Sequence, residues 1–178
     1  MLHRARMALP LVEGAGPGVR CVTGDAKLTI GGDLKARYVS HAVGPNYLFA
    51  ASLEEGDRLL TSAYRRALET CAEHNATLAR GGAAGEKEEK EEEEEGAPIT
   101  YPYLGGFDDS PRPITRIAFA LISAGVYRGG KSRHDVLKLG VEAIRANCPD
   151  DVEEVHMVGF SKEEVDILQD VASDVMAA

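Results

Sequence analysis

Cysteine, basic charge and long apolar runs are scarce in this 178-residue chain, and each shortage excludes a class of protein. The three cysteines, Cys21, Cys71 and Cys148, are scattered and odd in number and form no CxxC pair. A disulfide framework or zinc ribbon therefore has little support. His3, His74, His134 and His156 show no ligand spacing with cysteine or carboxylate, so no metal and no cofactor are expected. No stretch is long or apolar enough to span a membrane, and no secretory hydrophobic region opens the sequence. The expected setting is intracellular, cytoplasmic or nuclear.

Basic charge does not dominate either. The formal net charge is −9, but Glu86 to Glu95 alone holds eight Glu and two Lys, so the remainder carries only −3. Broad electrostatic attraction to nucleic acid is therefore not expected. An apolar content of 44% and a charged content of 28% are those of an ordinary globular protein, long enough for one substantial core.

Strands and helices alternate along the chain. Leu2 to Leu11 has a helical pattern limited by Pro10, and Glu13 to Gly18 is a glycine-rich connection. Arg37 to Val43 reads as a strand ended by Gly44-Pro45. Asp57 to His74 is a helix on the spacing of Leu60, Ala63, Tyr64, Ala67, Leu68 and Cys71, with Asp57 as its cap and Asn75 as its terminator. Cys71 and Cys148 fall on apolar helix faces, where buried thiols are common. Ser132 to Asn147 is the next helix, Glu154 to Phe160 a third strand, and Ser161 with Glu164 forms a capping box for a final helix. This order predicts a layered α/β domain. Residues 80–113, with their acidic run, lack a core-forming pattern and read as a low-complexity, disordered insertion. The single domain is thus expected over 1–79 and 114–178.

The most informative stretch is Ile117 to Gly130, IAFALISAGVYRGG. Ile117, Phe119, Leu121 and Ile122 read as a strand of a parallel sheet buried on both faces. Ser123-Ala124-Gly125-Val126-Tyr127 then leads toward a helix. Small residues between a strand's carboxyl end and a helix let backbone N–H groups approach a phosphate. A glycine that merely turns the chain is the competing reading.

Two further motifs, in order along the chain, add to this one. Cys21-Val22-Thr23-Gly24-Asp25-Ala26, Tyr38-Val39-Ser40-His41-Ala42-Val43-Gly44-Pro45 and Ile117 to Tyr127 resemble the C-x-T-G-[ED]-A, Y-V-I-H-x-V-G-P and I-A-F-P-x-I-S-[TA]-G-[VI]-[FY] motifs of the macrodomain family. The likeness is closest to the branch of mono-ADP-ribosyl hydrolases and O-acetyl-ADP-ribose deacetylases. It implies a three-layer α/β/α fold, with Cys21–Ala26 as a turn and short helix, and a monomer that takes ADP-ribose or mono-ADP-ribosylated protein. By position, Ser123, Ala124, Gly125, Val126 and Tyr127 would wrap the diphosphate, and Phe160 would stack on adenine unless it is a core residue at a strand end. Arg128 stands where the family commonly has glycine, and could either add a phosphate contact or crowd the loop. His41 reads as a packed structural histidine, and no cysteine nucleophile is supported.

Against the family pattern the chain opens inside a helix of the type D-x-A-I-H-x-A-x-G, with Leu2-His3 matching I-H. The N-A-A-N strand end and G-G-G-V loop have no counterpart, so the resemblance implies a domain lacking N-terminal strands, in which the strands at 37–43 and 117–122 either keep unpaired edges or rejoin. No catalytic residue can be assigned. Two readings stay open: a hydrolase or deacetylase, and a non-catalytic ADP-ribose reader or inactive fragment.

Overall fold

The computed structural model describes residues 7–32, 34–82 and 111–177. Four strands and three helices are defined among them: β1 (Ala26–Ile30), β2 (Tyr38–Ala42), α1 (Leu53–Gly82), β3 (Arg116–Ala120), α2 (Arg133–Asn147), β4 (Glu154–Val158) and α3 (Lys162–Ala177). The expected mixed α/β architecture is present. Met7 and Ala8 are helical before Pro10, while residues 1–6 lie outside the described part.

β1 and β2 pair antiparallel, Ala26 opposite Ala42 and Ile30 opposite Tyr38. Their connection closes through Gly31, whose N–H donates to the Arg37 carbonyl at 2.7 Å. A Cβ at Gly31 would lie 1.8 Å from the Ala36 oxygen, so only glycine fits. β1 corrects the expectation of a short helix after Cys21. Lys27-Leu28-Thr29-Ile30 has the β-branched content of a strand, and its partner is the segment twelve residues on.

β3 and β4 pair parallel, Arg116 opposite Glu154 and Ala120 opposite Val158. The parallel pairing is as expected, but the expected burial on both faces is not found. Ile117 and Phe119 turn inward, while Arg116, Ala118 and Ala120 are exposed. The strand therefore has the alternation of a sheet covered on one side.

α1 begins a turn earlier and runs further than its sequence pattern predicts. Ser52 caps it, its Oγ accepting from the Glu55 N–H at 3.1 Å, so Asp57 is not the cap. Asn75 does not end it either. Its side chain is buried and binds across to both backbone groups of Ile114, at 3.0 and 2.7 Å. A helix already tied by tertiary bonds at Asn75 can continue, and α1 takes in Arg80–Gly82. The acidic run lies at residues outside the described part. Cys148 is exposed just beyond α2, rather than on its apolar face, because Pro149 has ended the helix.

Leu60, Tyr64 and Leu68 of α1 meet Val136, Leu137 and Val141 of α2, which in turn packs on Leu168, Val171 and Val175 of α3. Each of these side chains contributes about 1.5–3 kcal/mol by leaving water. Gly140 permits the close approach, since a Cβ there would meet the Tyr64 ring at 2.9 Å.

The two sheets do not join. β2 and β3 are drawn together at their ends, where Ser123 Oγ donates to the Pro45 carbonyl at 2.7 Å and the Arg112 N–H donates to the Tyr38 hydroxyl at 3.1 Å. Between those ends no ladder connects them. A groove of about 660 Å³ separates them instead, lined by Tyr38, Ser40, Ile117 and Phe119, with Ala67 and Cys71 from α1. Of the two outcomes open for these strands, the rejoined ladder is not found among the described residues.

Candidate functional site

The segment from Leu121 to Ser132 links the carboxyl end of β3 to the start of α2, the position where parallel α/β pairs hold ligands. Its conformation is set from below. The Ile122 N–H donates to the buried Tyr64 hydroxyl at 3.1 Å, and the Ala124 N–H returns to the Leu121 carbonyl. Ser123 takes φ 57°, the left-handed region that non-glycine residues enter at a cost of order 1–3 kcal/mol. Its hydroxyl, bonded to Pro45, holds it there.

Beyond Ala124 the chain rises into an arch. Gly125 precedes a single 3-10 turn, Val126–Arg128, closed by the Arg128 N–H on the Gly125 carbonyl at 3.2 Å. A Cβ at Gly125 would meet nothing within 4 Å, so the space beside this backbone is open. The N–H groups of Gly125, Val126 and Tyr127 donate to no described residue. Val126 is 83% exposed and Tyr127 57%. Arg128 does not crowd the arch; its guanidinium donates to the Lys131 carbonyl at 2.7 Å.

The stretch between β2 and α1 forms the adjoining wall. Gly44 gives Ser123 room, since a Cβ there would lie 2.4 Å from its hydroxyl oxygen. The Tyr47 N–H donates to the Tyr127 carbonyl at 2.8 Å. Tyr47 Oη donates to Asp57 Oδ1 at 2.8 Å, and the Lys131 ammonium lies 2.6 Å from both Asp57 oxygens. Burial and the Asp57 carboxylate push the Tyr47 hydroxyl well above the usual tyrosine range. None of these three was read from the sequence as a site residue, Asp57 being read only as a helix cap. Asp57 and Lys131 stand 74 positions apart, and nothing in a single sequence links them.

Ser123, Ala124, Gly125, Val126 and Tyr127 thus share one loop, the first two buried and the last three exposed. Phe160 follows β4 at the same, carboxyl edge of the parallel pair and is fully exposed, which excludes the core role. Its N–H donates to Glu164 at 2.8 Å. His41 sits in β2 with Nε2 2.9 Å from Thr29 Oγ1, as a packed histidine should. Burial, then the Asp25 charge, raise the Cys21 thiol above its ordinary pKa, and its Sγ donates to the His41 carbonyl. A thiol kept protonated is a poor nucleophile.

Comparison with known proteins agrees with this geometry. The family model described as Macro domain matches residues 10–136. A macro domain-containing protein of Streptomyces nogalater is 30% identical over 138 residues, covering 78% of this chain and 52% of that protein. One from Vibrio parahaemolyticus is 48% identical over 52 residues, covering 29% of each. Among solved structures, an Oceanobacillus iheyensis macrodomain with ADPR superposes with a TM-score of 0.60 at 22% identity, over 90% of this chain and 64% of that one. The chain thus spans less than two thirds of the relatives it matches. The match over most of its length, with the motifs placed as described, shows that this chain belongs to the Macro domain family.

Proposed function

We propose that the chain binds ADP-ribose through the loop 123–127, either free or as mono-ADP-ribose on a protein. The observation that carries this reading is the arch at Gly125: three N–H groups with no acceptor among the described residues, beside a backbone with open space where a side chain would stand. Such amides suit the oxygens of a diphosphate, which they neutralise without a long flexible cation. Tyr127 offers an aromatic surface to a ribose, and Phe160, exposed at the end of the neighbouring strand, offers one to adenine. ADPR in the Oceanobacillus structure supports the choice of ligand.

Removal of ADP-ribose from proteins, or deacetylation of O-acetyl-ADP-ribose, is the finer reading. In either reaction the bound diphosphate would place the distal ribose where an activated water attacks the ester or glycosidic bond. The open amides of the arch support a diphosphate cradle, and no general base is assigned among the described residues, so binding is the better supported reading. Isothermal titration of the chain with ADP-ribose tests it, with one site per chain expected. Release of ADP-ribose from a mono-ADP-ribosylated protein then separates a hydrolase from a reader. A folded chain that takes up no ADP-ribose would defeat both.

A further inference from the structure

The loop is pinned at both feet by the same segment, residues 44–57. At the β3 foot the pin is neutral, the Ser123 hydroxyl on the Pro45 carbonyl. At the α2 foot it is ionic. Lys131 reaches Asp57 with both carboxylate oxygens at 2.6 Å, Tyr47 donates to the same carboxylate at 2.8 Å, and the ammonium lies 5.6 Å from the Tyr47 ring centroid. The Lys131 side chain is 14% exposed and Tyr47 8%, while the Asp57 carboxylate, at 31%, still reaches water.

Between the feet the arch bonds within itself, Arg128 N–H to Gly125 O and Lys131 N–H to Arg128 O, and among the described residues its backbone meets the adjoining wall through Tyr47 N–H to Tyr127 O. Asp57 itself stands near the start of α1, a helix fixed in the core by Leu60 and Tyr64. Gly56 lets Tyr47 lie flat on that helix, where a Cβ would come within 2.5 Å of the ring. The carboxylate therefore refers the loop's position to a helix buried in the core.

We infer that Asp57 is a positioning residue, which holds Lys131 and Tyr47 together and so fixes the loop in its ligand-ready shape before any ligand arrives. Its neutralisation of Lys131 also keeps that cation out of the arch, leaving the backbone amides to meet the ligand. The effect on affinity rests on the ADP-ribose reading, and the effect on loop order does not. Preorganised loops bind more tightly because ordering is not charged against each binding event.

The test is amide hydrogen exchange on the full chain, alongside ADP-ribose titration. Asp57→Asn preserves volume and an acceptor for Tyr47 but removes the charge that Lys131 needs. Peptides spanning 121–132 should exchange about tenfold faster, with those of 60–71 and 136–144 unchanged. ADP-ribose should bind about tenfold more weakly. Lys131→Met should do the same, and the double variant should add nothing further, since both single changes cut one interaction. Lys131→Met also serves should Asp57→Asn fail to fold. Unchanged exchange in the loop would overturn the inference, as would protection lost evenly through α1 and α2. A wild-type chain that ignores ADP-ribose, with faster loop exchange in Asp57→Asn, would sink the functional reading and leave the anchor standing.

Discussion

The Ile122 N–H donates to the Tyr64 hydroxyl at 3.1 Å, a bond between residues 58 positions apart that joins the middle of α1 to the base of the ligand loop. Tyr64 is fully buried, its ring 5.3 Å from that of Phe119 and against Gly140. Packing and loop geometry thus meet in one side chain. The strand end cannot shift without breaking a buried hydrogen bond.

Tyr64→Phe should therefore cost about 1–3 kcal/mol, the range for a buried N–H left without a partner. Burial raises the Tyr64 hydroxyl to about 12. Because the folded value lies above the unfolded one near 10, this group's contribution is complete below about pH 10 and is lost as pH rises toward 12. Urea denaturation across that window should show wild type approaching the variant.

Asn75→Ala should destabilise by about 2–4 kcal/mol, because it strands both backbone groups of Ile114 and removes a bond to Asp151 at 2.5 Å. Ile114 leads into β3, so the loss should appear in thermal melts and as faster exchange at the start of that strand.

Acid should weaken the β1 end of the fold. Burial alone would raise the Asp25 carboxyl, but hydrogen bonds from Lys27, the Ala26 backbone and Arg66 outweigh it and hold the value below the usual range. A lowered folded value means stability present above about pH 4 and lost as pH falls through the lower folded value. Asp25→Asn should be less stable than wild type at neutral pH and converge with it in acid melts below about pH 4.

Two two-stranded sheets facing each other across a groove leave strand edges without ladder partners among the described residues. The chain should unfold at a lower urea midpoint than the Oceanobacillus macrodomain measured beside it. An equal or higher midpoint would show that α1 and the end contacts at Ser123 and Tyr38 suffice.

Local chemistry explains how much of this was legible in the sequence. The Ser161–Glu164 capping box is formed as read, Glu164 N–H to Ser161 Oγ and Ser161 N–H to Glu164 both at 3.2 Å, because every partner lies within one turn. Ser132 caps α2 for the same reason, and the small-residue loop was visible as an unbroken motif. What failed was the reading of residues whose partners are remote. Asp57 and Asn75 have the composition of a helix cap and terminator, yet tertiary bonds to Lys131 and Ile114 decide their roles. β1 was hidden because its pairing with β2, rather than its own short pattern, makes it a strand.

The most direct measurement is the ADP-ribose affinity of Gly125→Glu beside wild type, with thermal melts of both. A side chain at Gly125 enters open space, so the melts of the two chains should coincide. The account predicts stoichiometric binding by wild type and none by the variant, whose carboxylate would occupy the place of the diphosphate. Equal binding by both chains would mean that this glycine only turns the backbone, and the loop reading would fall.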